Sequence, residues 1–122
     1  MPFMLMVMET GPRTTNPLTE QARSIAAERM ERMRSFGADL QARGILLAAD
    51  SLRSDAEGVR VSIRDGKRSL SDGPFTESKE IVGGFFLVAV ETREEALALA
   101  SQCPAAEWST VEVRQSGPCF DG

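Results

Sequence analysis

The chain has 122 residues and carries 14 Lys plus Arg against 18 Asp plus Glu, a formal net charge of −4. That balance lacks the basic footprint of a nucleic-acid binder. With 42% hydrophobic and 26% charged residues the composition is that of an ordinary globular chain. Its length suits one domain, residues 1–122, able to bury roughly two-thirds of its unfolded surface without disulfides or metals. The sequence contains no His and no Tyr. Ser-His-Asp, Cys-His and His-Asp chemistry and His-ligated zinc are therefore closed to it.

The opening run from Met1 to Met8 is apolar but short, has no Lys or Arg ahead of it, and meets Glu9 without a small-residue cleavage site. It reads as a strand over Phe3 to Met8 with both faces apolar, Phe3, Leu5 and Val7 opposing Met4, Met6 and Met8. No apolar run approaches the ~18 residues of a membrane span. Thr10-Gly11-Pro12 ends the strand, and Asn16-Pro17 precedes a helix for which Thr19 is the N-cap, since Glu20 then sits at the positive end of the dipole. Ala22, Ile25, Ala26, Met33, Phe36 and Leu40 recur at helical spacing and predict a packed face, while Gly44 supplies the left-handed residue that closes the helix.

Ile45 to Ala49 predicts a second strand, and Ser54 to Gly58 a turn. Val59, Val61 and Ile63 alternate with Arg60, Ser62 and Arg64 in a strand with one wet face, and Asp65-Gly66 signals a hairpin that returns over Lys67 to Ser71. Asp72-Gly73-Pro74-Phe75 turns the chain again. Gly83 to Val90 predicts another strand apolar on both faces, Thr92 to Glu95 a capping box, Ala96 to Gln102 the helix it opens, Pro104 its stop, and Trp108 to Gln115 the last strand.

This order gives an α+β fold, a ferredoxin-like βαβ-(hairpin)-βαβ sheet with two helices on one face. Its central strands are the first and third core strands, the two segments with no polar face. Two helices cover one side only, so the other apolar side calls for a second copy. A homodimer is expected.

Asp72-Gly73-Pro74-Phe75, followed by Glu77, Lys79-Glu80 and Gly83-Gly84-Phe85, resembles the DGPF branch of the YCII-related family. The opening strand, Gly44 to Ala48, Gly58 to Val61, Asp65 to Lys67, Arg93 to Ala96 and Val111 to Gln115 look like that branch in the same order. The resemblance implies a dimeric α/β barrel. It assigns no general reaction, although some YCII-like members use a His-Asp pair. DGPF members are often encoded beside extracytoplasmic-function sigma factors, which implies a regulatory association. The chain departs from the pattern at Ala49-Asp50-Ser51-Leu52-Arg53, where many DGPF relatives have Gly-Glu-Gly-Leu followed by His or Gln. Arg53 thus replaces a side chain that in some relatives is an imidazole, and the His-Asp mechanism does not transfer.

Each candidate site residue has a structural reading beside its functional one. Asp72 is the candidate catalytic carboxylate, as acid, base or ligand anchor, or it braces its turn by accepting backbone N–H bonds. Asp50 and Arg53 are placed to meet Asp72 at one end of the sheet, Arg53 either gripping a small anionic ligand through its planar fork or pairing with Asp72. Gly73 and Pro74 are turn residues and Phe75 a core or interface plug. Glu77, Lys79 and Glu80 form either a solvated patch or, beside Asp72, a cleft in which Lys79 binds an anion. Gly83-Gly84 signals close backbone approach by a partner or ligand, and Trp108 reads as core or interface. Cys103 and Cys119 lack metal spacing and read as reduced thiols of a cytoplasmic protein. No phosphate loop, dinucleotide fingerprint or metal motif occurs, and no cofactor is expected. Two classes of function are left: a dimeric ligand-binding or accessory protein, and a small-molecule lyase or isomerase using Asp72 with Arg53 or Lys79.

Overall fold

The computed structural model describes residues 1–10, 17–75, 78 and 80–121. The turn expected at residues 11–12, Asn16, and two of the candidate site residues, Glu77 and Lys79, lie outside them. The elements are β1 (Phe3–Glu9), α1 (Glu20–Ala42), β2 (Leu46–Ser51), β3 (Val59–Arg64), β4 (Lys67–Asp72), β5 (Ile81–Val88), α2 (Arg93–Gln102) and β6 (Thr110–Gln115), with single 3-10 turns at Asp55–Glu57 and Pro104–Glu107.

The main sheet runs β2-β5-β1-β6. Its three neighbouring pairs are all antiparallel. This is the ferredoxin-like order, with the two doubly apolar strands at the centre as the sequence predicts. On one face Phe3, Leu5, Val7, Phe86 and Val88 pack against Phe36 and Leu40 of α1 and Ala96, Leu99 and Ala100 of α2. The Phe36 and Phe86 rings meet edge to face, centroids 5.1 Å apart.

The helix ends follow the sequence closely. The Thr19 hydroxyl accepts from the Ala22 N–H at 3.0 Å. At the other end Gly44 has φ 74°. The Gly44 N–H donates to the Gln41 carbonyl and the Ile45 N–H to the Leu40 carbonyl, a Schellman closure whose flanking residues Leu40 and Ile45 join the core. Thr92 and Glu95 form the reciprocal capping box.

The expected packed face of α1 is only half realised. Met33, Phe36 and Leu40 reach the core, but Ile25 is 44% exposed and Ala26 is exposed as well. A 23-residue helix is ~34 Å long, whereas an eight-residue strand spans ~26 Å, so the first turns overhang the sheet. Strand boundaries also shift. β2 continues through Ser51, because Asp50 and Ser51 still pair with Phe85 and Gly84. β5 starts at Ile81 and ends at Val88, with Val90 buried beyond it. β6 begins at Thr110, because Trp108 caps the preceding 3-10 turn.

Among the described residues, the second face of the main sheet and the β3–β4 hairpin have no helix on them. The second face of the main sheet carries the cross-strand rows Ala48–Leu87–Met4–Arg114 and Asp50–Phe85–Met6–Glu112, with Val82–Met8–Thr110 beyond a bulge. Its apolar centre is half-buried by its own neighbours. The β3–β4 hairpin forms a separate sheet. One wet face was expected there, but the apolar face is open as well: Val59, Val61, Ile63 and Leu70 are 53%, 61%, 63% and 55% exposed.

Candidate functional site

The DGPF turn is held by the segment that leads into the hairpin. Asp65 (φ 53°) and Gly66 (φ 74°) both adopt the left-handed region, as a two-residue hairpin turn requires, and set the β3–β4 register so that Val59 faces Asp72. Before β3, the Ser54 hydroxyl caps the 3-10 turn by accepting from the Ala56 N–H at 3.2 Å. The Gly58 N–H then donates to the Asp55 carbonyl at 2.9 Å, and the Gly73 N–H to the Gly58 carbonyl at 2.9 Å. A β-carbon at Gly73 would overlap the Asp55 carbonyl oxygen, so this position admits glycine because two backbone segments touch.

Past the cis Gly73-Pro74 bond, the Phe75 N–H donates to Asp55 Oδ2 at 3.0 Å. The Phe75 ring is 8% exposed. The Arg60 guanidinium stacks on it, 3.7 Å from the ring centroid, and also donates to the Ser78 hydroxyl at 3.1 Å. Phe75 is thus a plug, seated under the hairpin and apart from the main core. The carboxylate that braces the turn is Asp55. Asp72 is exposed at the end of β4 and makes no side-chain hydrogen bond or ion pair among the described residues. The brace was not legible in the sequence because donor and acceptor are 20 residues apart.

Among the described residues, neither Asp50, Arg53 nor Glu80 makes a hydrogen bond or ion pair with Asp72. Asp50 lies within β2, on the open face of the main sheet beside Phe85, and its carboxylate accepts from the Ser51 N–H at 2.9 Å. Arg53 pairs with Glu57, Nε to Oε1 at 2.8 Å, in place of the expected pair with Asp72. That hydrogen bond raises the Arg53 guanidinium above its ordinary range. Glu80 is exposed just before β5. The close approach at Gly83-Gly84 is intramolecular. A side chain at Gly83 would collide with the Glu9 carboxylate, and one at Gly84 would meet the Asp50 carbonyl of β2 at 2.9 Å.

A concave feature lies elsewhere. An open groove of about 360 Å³ between the overhanging start of α1 and the Pro104–Glu107 turn is lined by Ile25, Glu28, Arg29, Arg32, Glu107 and Trp108. Arg29 and Arg32 sit over the half-buried Trp108 ring, 4.8 and 5.4 Å from its centroid. Arg32 also grips Glu107 with two N–H donors, which lowers the Glu107 carboxyl below its ordinary range. The helical spacing of Arg29 and Arg32 is visible in the sequence, but Glu107, which Arg32 grips, lies 75 residues on from it. Among the described residues no three Cys, Asp or Glu side chains converge on a point that could hold a metal ion, and no helix is long and apolar enough to cross a membrane.

No curated protein matches the sequence. The family model of the YCII-related domain, in contrast, matches residues 1–116, nearly the whole length, and the chain belongs to that family.

Proposed function

We propose that the protein acts as a DGPF-type homodimer, a dimeric α/β barrel closed by the open faces of two main sheets, and that it serves as a small-ligand-binding or accessory protein. The observation that carries this reading is the uncovered sheet face, where Met4, Met6, Phe85 and Leu87 form an apolar centre. Asp50 on one edge and Glu112 and Arg114 on the other give it a polar rim. That is the anatomy of an interface. The absence of His from the sequence and the tie between Arg53 and Glu57 favour binding over proton transfer, which needs a tuned acid or base. The DGPF resemblance supports a regulatory association with an extracytoplasmic-function sigma factor, and the two free cysteines support a cytoplasmic setting.

A thermal-shift screen of small carboxylates and phosphates tests this reading. A ligand at one hundred times its dissociation constant adds ~2.7 kcal/mol of stability. The expected result is a stabilising anion that is recovered unchanged. Turnover of such a compound, abolished in Asp72→Asn, would replace the binding reading with an enzymatic one.

A further inference from the structure

The β3–β4 hairpin has one polar and one apolar face, yet the apolar side chains Val59, Val61, Ile63 and Leu70 are all more than half exposed. Arg60, Ser62, Arg64, Lys67, Ser69 and Ser71 form the polar side. On the other side the cross-strand pairs are Val59–Asp72, Val61–Leu70 and Ile63–Arg68, so an apolar centre is flanked by an acid at one end and a base at the other. Arg68 and Asp72 lie on one strand four residues apart, ~13 Å, too far to pair with each other. Neither has a side-chain partner among the described residues.

This arrangement is self-complementary. Consider a two-fold axis lying in the plane between two such faces and parallel to the Val61–Leu70 direction. It sets Val61 and Leu70 against their own copies, Val59 against Ile63, and Asp72 against Arg68 at both ends. We propose that the hairpin's apolar face docks on the same face of a second copy of this chain, with Leu70 near the axis and two Asp72–Arg68 pairs fixing the register. The contact involves no residue of the main-sheet face, and four apolar side chains on each side are fewer than a stable interface uses. It therefore adds to association through the main sheet instead of replacing it. Asp72 on this account is an interface charge.

Short-span bismaleimide cross-linking of full-length chains carrying Cys119→Ser tests the contact. Leu70→Cys is expected to cross-link to its own copy, and Ser69→Cys, on the polar face of the same strand, is not. Adding Arg68→Asp or Asp72→Arg alone to Leu70→Cys should cut the yield about fivefold, and adding both should restore it. A Leu70→Cys yield no higher than that of Ser69→Cys, or a double reversal no better than the single ones, would overturn the proposal. Either failure leaves the main-sheet dimer untouched, because that association is read independently as mass.

Discussion

Replacing Asp55 with Ala should destabilise the protein far more than replacing Asp72. The Asp55 carboxylate accepts the Phe75 N–H at 3.0 Å in a part-buried setting, and a hydrogen bond to a charged group contributes ~1.5–3 kcal/mol. Loss of that acceptor also leaves the Phe75 amide without its partner beside a ring that is 8% exposed. A cost of ~2 kcal/mol corresponds to a fall in Tm of roughly 6–10 °C for a chain of this length. Asp72→Ala removes an exposed side chain and should stay within about 0.5 kcal/mol of wild type. Asp55→Asn keeps an oxygen acceptor but loses the charge, and should recover about half the loss. Urea titrations at one fixed protein concentration, followed by far-UV circular dichroism, measure all three. Asp72→Ala proving as costly as Asp55→Ala, or Asp55→Ala proving neutral, would refute this account of the turn.

Thr92→Ala should lower stability by about 1 kcal/mol through loss of the α2 cap, with Thr92→Ser nearly neutral in the same titration. Under native conditions a thiol-reactive disulfide reagent should titrate Cys119 alone, because Cys103 is 2% exposed and burial raises its thiol above the ordinary range; both should react once the chain is unfolded. The Arg32–Glu107 pair predicts a pH dependence. Glu107 has a lower pKa folded than unfolded, so its contribution is present above the unfolded value and disappears as pH falls through the folded one. Thermal melts of Arg32→Ala and wild type should therefore converge on acidification through the carboxylate range, and a gap that widened would contradict the pairing.

What the sequence made legible were features written in adjacent residues. The Thr19 and Thr92 caps, the Gly44 closure and the Asp65-Gly66 turn all depend on neighbours within a few positions, and they stand where local chemistry puts them. Strand order followed from a subtler signal, since only central strands need to be apolar on both sides. Periodicity misled where length mattered. Ile25 and Ala26 have the right spacing to be buried, but α1 outruns the sheet beneath it. The candidate site was least legible because its contacts join distant segments. Asp55 to Phe75, Arg60 over Phe75, and Arg32 to Glu107 have no local signature. The tetrapeptide drew attention to Asp72, whereas the fold seats Gly73 and Phe75 against Asp55 and leaves Asp72 exposed.

Light scattering on wild type and Met6→Lys tests the central claim most directly, with circular dichroism confirming that the variant is folded. Met6 lies in the middle row of the open main-sheet face, so a lysine there places a charge in the apolar centre of the proposed interface. Wild type at low micromolar concentration should have about twice the 13.3 kDa mass of one chain, and Met6→Lys should shift toward a single chain. A wild-type mass of one chain, or a folded Met6→Lys that keeps the wild-type mass, would contradict it.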